Sequence, residues 1–278
     1  MHPEGYDHII WTFEAREKLS LAALVILGLN WVGSLHSEYY HVWGKKFTAT
    51  KFMFLWSRYV ALATLIAHYC FIHLFLARGP VAPSFCRGWI LFLSLSCTSL
   101  QMSLVVILLL RVWAVYSKNM KLVMVVAALV VLPFIVSFEL IGRNILHDDN
   151  LNDQCDLRQT PIEAAPLAAV SFLSHLALWF TIFRKRNYVM PNDKRLMDTV
   201  VNTGNVSFTV LTLIVAVMIP YCFATHSVNI VLIFVVPMVP ISMLSCKMVI
   251  NMFRLRTDRP PDFWIQAKSY LLRSLHPL

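Results

Sequence analysis

The sequence predicts an all-α integral membrane protein, a seven-helix bundle with its N-terminus outside and its C-terminus in the cytoplasm. Three observations predict it. Seven apolar stretches, at about 19–40, 52–77, 88–112, 122–141, 165–183, 198–222 and 228–252, each have the length of a bilayer span, since about 20 apolar residues cross roughly 30 Å of hydrocarbon. Only 14% of the 278 residues are charged and 58% are hydrophobic, with a mean hydropathy of +0.64. That is too little charge for a surface facing water. Finally, basic residues collect in every second gap between the stretches.

Residues 1–18 form a polar-aromatic segment ahead of span one, with Tyr6, Trp11 and Phe13 among acidic side chains, a composition suited to the outer membrane interface. The segment has no basic start, short apolar core and small-residue cleavage site, so no cleavable leader is expected and span one serves as the insertion signal. The gap after span one carries Lys45, Lys46 and Lys51, and span three ends at Arg111 with Lys118 and Lys121 beyond it. Span five is followed by Arg184, Lys185, Arg186, Lys194 and Arg195, and the tail holds Arg254, Arg256, Arg259, Lys268 and Arg273. The alternate gaps are poorer. One has Arg78 and Arg87, another only His226, and the 142–164 loop is net acidic through Asp148, Asp149, Asp153, Asp156 and Glu163. Basic residues in short loops mark the cytoplasmic side, which orients the chain.

The transmembrane domain is then 19–253 and the cytoplasmic tail 254–278. After Pro260 and Pro261, Phe263, Trp264, Tyr270, Leu271, Leu272 and Leu275 can share an apolar side, the pattern of a short helix lying on the inner leaflet. Pro133, Pro220, Pro237 and Pro240 fall inside spans four, six and seven. They are expected to kink their helices where neighbours satisfy the freed carbonyls, and the Pro237–Pro240 pair to permit movement of span seven. No internal repeat is evident, so an inverted-repeat transporter is not favoured. The net charge of +9 sits at helix ends, where it meets anionic lipid headgroups, and no nucleic acid is expected as a partner.

Of six cysteines, Cys70, Cys97, Cys222 and Cys246 lie in spans as small apolar fillers. Cys86, before span three, and Cys155, in the 142–164 loop, both fall on the outer side. That side faces the oxidising secretory lumen, so a Cys86–Cys155 bridge is expected to pin the loop across the mouth of the bundle. The pairs His36/His41 and His68/His73 share a five-residue spacing. This sets the partners about 140° apart on a helix, a poor arrangement for one metal. No metal and no cofactor are expected.

Ionisable groups inside a membrane are costly and mark sites by default. By depth they form two layers. Toward the cytoplasm lie Glu38, Arg58, Arg111, Asp198, Asn202, Asn205, Lys247 and Asn251. Glu38 and Arg58 stand at similar depth on adjacent spans, and a buried charge is best kept when paired, so an ion pair between them is expected. Lys247, seven residues before Arg254, reads as a lysine reaching to the inner interface. In the middle and outer half lie His68, His73, Glu139, His175, Tyr221 and Asn229. These are the ligand-binding candidates, with interhelical hydrogen bonding by His68 and His175 as the structural alternative.

Residues 38–59, EYYHVWGKKFTATKFMFLWSRY, resemble the opening signature of a large fungal, mainly basidiomycete, family of seven-span proteins of unknown function, through Glu38, Trp43, Lys51, Phe54, Leu55, Arg58 and Tyr59. LLLRVWAVYSKN at 108–119, with Arg111 and Tyr116, resembles the family's third-helix ending, and SCKMVINMFRLR at 245–256 its closing motif, where Arg is more usual than Lys247. Cys86 and Cys155 also fall where the family tends to carry outer cysteines. The resemblance implies a membrane location and seven helices and assigns no activity.

Two functions are expected from different classes. The leading one is a receptor-like or sensor protein with an outer-facing small-molecule cavity, from the topology, the tied loop, the polar layers and the proline-bent helices. Its partners would be membrane lipids, an apolar or amphipathic small molecule and a cytoplasmic protein. The Asp-Arg-Tyr ending of span three is replaced by Leu110-Arg111-Val112, and Asn-Pro-x-x-Tyr is absent from span seven, which argues against coupling to G proteins. The alternative is an intramembrane enzyme, a terpene cyclase or other lipid-modifying enzyme of fungal secondary metabolism, with Glu139 or Glu38 as general acid. Either would reside in the plasma membrane or the endoplasmic reticulum.

Overall fold

The computed structural model describes residues 3–44, 47–75, 81–115, 155, 194–224, 229 and 231–257, with short helical pieces inside 124–136 and 172–184. Glu139, Pro133, the basic residues at 116–121 and 185–186, the 142–164 loop apart from Cys155, and the tail with its expected interfacial helix lie outside the described residues. Among the described residues every regular element is helical: α1 (Pro3–Glu38), a π turn (Tyr39–Trp43), α2 (Ala49–Leu74), α3 (Pro83–Val115), α4 (Lys194–Ala224), a second π turn (Val231–Val235) and α5 (Val236–Thr257).

Helix α1 starts well before residue 19, where hydropathy puts the edge of span one. The reason is local. Glu14, Ala15, Arg16, Glu17 and Lys18 are good helix formers, and Lys18 donates to Glu14 at 2.9 Å one turn away. Hydropathy marks where lipid begins, not where a helix does. At its far end α1 winds into the π turn, and Thr48 then opens α2: its extended backbone and its hydroxyl, which accepts the Lys51 N–H at 3.3 Å, make it the N-cap. Pro83 starts α3, a position where a missing N–H costs nothing. The second π turn comes directly before Pro237 and Pro240, which cannot donate to the carbonyls of Ile233 and Val236, and the ladder widens there.

Among the described residues four stretches are long and apolar enough to cross a membrane: Glu14–Glu38, Ala49–Leu74, Pro83–Leu110 and Val231–Phe253; a shorter apolar stretch, Gly204–Met218, lies in α4. The chain is therefore a multi-pass membrane protein. Helices α2, α3 and α5 pack on one another, α1 leans on α2 and α5, and α4 meets α5. The fraction buried within the protein rises from 17% for the α1 stretch to 61% for the α5 stretch, so α5 is central and α1 peripheral. Phe54, Leu65, Leu104, Ile107, Met238 and Met248 fill the shared interior, while Leu29, Val32, Trp56 and Leu213 face outward, where water would penalise them and lipid does not.

Hydroxyls tie the three central helices at one level. Ser57 Oγ and Ser103 Oγ lie 2.6 Å apart, Ser103 also donates to the Met53 carbonyl at 3.2 Å, and Ser242 donates to the Ser57 carbonyl at 2.8 Å. Small residues let the backbones approach and give each hydroxyl a partner out of reach of water.

Candidate functional site

Two polar centres lie at opposite ends of the bundle. The first joins the C-terminal end of α1 to the first half of α2. Arg58 and Glu38 form an ion pair with both side chains almost wholly enclosed. Nη1 of Arg58 donates to Ser34 Oγ at 2.8 Å and Nη2 to the Trp31 carbonyl at 2.7 Å. The guanidinium also stands 5.7 Å from the ring centres of Trp31 and Phe54, within cation–π range. Beside it, Lys51 donates to the Trp43 carbonyl at 3.3 Å, tying the π turn to α2. The Glu38 carboxylate is thus enclosed against Arg58 and opens on no described cavity.

The second centre lies beside the Cys86–Cys155 disulfide, whose Cα atoms are 5.1 Å apart. Both cysteines are buried among Phe71, Ile90 and Leu93, with Trp89 at the edge of the group, and Cys155 takes a left-handed backbone conformation (φ 60°). The bridge therefore holds one point of the 142–164 loop against α2 and α3. Phe71 stacks on Trp89 with ring centres 4.4 Å apart. Trp89 Nε1–H donates to Nδ1 of His68 at 3.3 Å, the two rings lying within 12° of parallel. His68 is 4% exposed; on α1, Arg16 is 5% exposed and Ser20 1% exposed. Arg16 is within electrostatic reach of both His68 and Tyr221. Tyr221 in turn accepts the Asn229 N–H at 3.0 Å, and the Asn229 side chain caps the Val231 N–H at 2.9 Å.

Residues 19–63 match the profile of a family of unknown function (DUF6533). That stretch carries most of α1, the π turn and the first half of α2, and so both members of the Glu38–Arg58 pair with Trp31, Ser34, Trp43, Lys51 and Phe54. No curated protein and no solved structure matches the chain.

The residues expected to bind a ligand do not form one group. His68 is in the disulfide-end centre, with Tyr221 and Asn229 linked to it through Arg16. His73 sits at the more open rim of α2, 3.4 Å from Glu17. His175 is elsewhere. With Trp179, Phe183, Ser207 and Phe208 it lines a cavity of about 20 Å³ whose wall includes Leu108 of α3, room for about one water. Leu108 stands 19 residues beyond Trp89 on α3, about 28 Å along the axis, so His175 and His68 cannot touch one ligand of modest size. Near that cavity Trp179 donates to Asn205 at 3.0 Å and stacks on Phe208. Lys247 is exposed. Among the described residues no group of three His, Cys, Asp or Glu side chains converges as metal ligands would.

Sequence reading missed Arg16 and Ser20. Both fall at the boundary that hydropathy draws before span one, yet they are four residues apart and so on one helical face. The signal that would have found them is that i, i+4 pairing just ahead of an apolar run.

Proposed function

We propose that the chain is a seven-helix receptor-like membrane protein, N-terminus outside and C-terminus in the cytoplasm, whose disulfide-end centre of Arg16, Ser20 and His68 binds a small molecule entering from the outer side. Support for seven spans comes from the four long apolar helices, the apolar stretch of α4 and the hydropathic segments 122–141 and 165–183. Support for the orientation comes from the alternation of basic gaps. The match over 19–63, with the motifs at 111–116 and 245–256, we read as one fungal family of such proteins.

The observation that carries the reading is a pair of polar atoms. Ser20 Oγ and His68 Nε2 are both buried and make no hydrogen bond among the described residues. An unanswered polar group in an apolar interior is expensive, and such groups mark places where something else binds. The enzyme reading draws less support, because it needs an acid presented to substrate and Glu38 is enclosed against Arg58. Heterologous expression with profiling of extracted metabolites tests the choice. No new product is expected; a product that disappears on Glu38→Gln or Glu139→Gln would replace the receptor with an enzyme.

A further inference from the structure

The tautomer of His68 decides what chemistry its site can recognise. An indole nitrogen only donates, so the Trp89 contact at 3.3 Å requires a lone pair on Nδ1. The neutral ring then carries its proton on Nε2. His68 therefore faces the interior as an N–H donor, and Nε2 is buried without a partner.

Ser20 lies close by in register. The Glu17–His73 and Arg58–Ser34 contacts fix the antiparallel pairing of α1 and α2, and this sets Ser20 within about one turn of His68. Its hydroxyl is also buried and unpartnered. Arg16, one turn before Ser20 on the same face, adds a side chain with donors and no acceptor. The described carboxylate nearest in sequence, Glu17, is turned to His73 at the rim. The walls are apolar: Phe71 and Trp89 stack beside His68, and the buried disulfide backs them. Donors are thus concentrated in an apolar setting, and the missing partner is an acceptor.

Resting on the outer binding site argued above, we propose that this centre takes the terminal oxygen acceptor of an otherwise apolar molecule, a carboxylate or a ketone-type carbonyl on a hydrocarbon skeleton, held by His68 Nε2–H and Ser20 Oγ–H. The rest of the molecule lies against Trp89 and Phe71. A cationic head group is disfavoured beside the Arg16 guanidinium.

The test uses the full chain in phosphatidylcholine nanodiscs, with isotope-labelled decanoate, 2-decanone and decylamine as probes and empty nanodiscs subtracted. Saturable binding of decanoate or 2-decanone is expected, and which of the two binds more tightly separates carboxylate from carbonyl. His68→Phe should weaken it about tenfold or more, the loss of one well-placed hydrogen bond, and Ser20→Ala severalfold. His68→Gln, which restores an N–H near the Nε2 position, should recover part of the loss. Ser20→Ala changes one oxygen in a small side chain, so its reading stands even where His68→Phe unfolds. Saturable decylamine binding that His68→Phe abolishes would overturn the acceptor assignment and leave the outer site standing. If no probe binds in a way that either substitution alters, the acceptor assignment and the site both fall.

Discussion

Arg58 shows what a charged side chain requires when helices rather than water surround it. Its guanidinium meets a carboxylate, a backbone carbonyl and a hydroxyl, and two aromatic faces stand nearby. Removing one partner of a buried ion pair typically costs about 3–5 kcal/mol, because the survivor stays desolvated and alone. Glu38→Gln and Arg58→Gln should each lower stability in detergent by an amount of that order. The two are not equivalent: Arg58→Gln also strips donors from Ser34 and Trp31, so it should cost more. The double variant should cost less than the sum of the singles, as groups in contact do, with incomplete recovery because the Trp31 carbonyl loses its donor in either background. Unfolding curves of the four proteins measure this, and strict additivity would mean that the two charges do not stabilise each other. The ion pair was legible in the sequence, since opposite charges at matching depth on neighbouring spans have few other ways to exist. Its remaining partners were not. A carbonyl and a serine hydroxyl leave no trace in hydropathy or charge, and Arg16 hid because a window average assigned it to the polar segment.

At the scale of elements, apolar length identifies helices reliably, and their ends depend on chemistry that hydropathy does not see. Span two was expected from 52, whereas α2 starts at Ala49 because Thr48 caps it. Thr48→Ala removes that acceptor and should cost about 1 kcal/mol, within the usual range of about 0.5–2 for such caps; Thr48→Ser should be near neutral. Thermal unfolding in one detergent distinguishes them, and equal melting of the alanine and serine variants would show that the cap contributes nothing. The two π turns were illegible for another reason. An extra residue in a turn changes the helical phase locally and leaves composition untouched, although Pro237 and Pro240 do flag the second one. Their positions matter for the polar centres. The first π turn follows Glu38 directly and is tied back to α2 by Lys51. His175 illustrates the opposite failure: depth along a span put it with His68, but the neighbouring helices it meets carry it to the cavity beside Leu108.

For the whole molecule, two independent physical signals bear on sidedness. One is the charge asymmetry of the gaps, which favours a cytoplasmic place for Lys45, Lys46 and Lys51. The other is the Cys86–Cys155 bridge, which persists only where the compartment is oxidising. Within the described helices the two are at opposite ends: Lys51 opens α2, and Cys86 opens α3 just after α2 has ended at Leu74. They therefore favour the proposed orientation for different reasons. Glycan acceptor sequences (Asn-x-Thr) placed singly in the 142–164 loop and in the 184–195 gap turn this into a measurement. The native Asn205-Val206-Ser207 sequence lies inside α4, out of reach of the lumenal transferase, so any glycan reports the inserted site. The loop insertion should be glycosylated and the gap insertion should not, and unreduced peptide mapping of the same material should recover the Cys86–Cys155 link. A glycan on the 184–195 insertion would invert the orientation and move the His68 centre to the cytoplasmic face, where a ligand from outside has no access. Glycans at both positions would mean that the chain between them does not cross the membrane once, which would end the seven-span count.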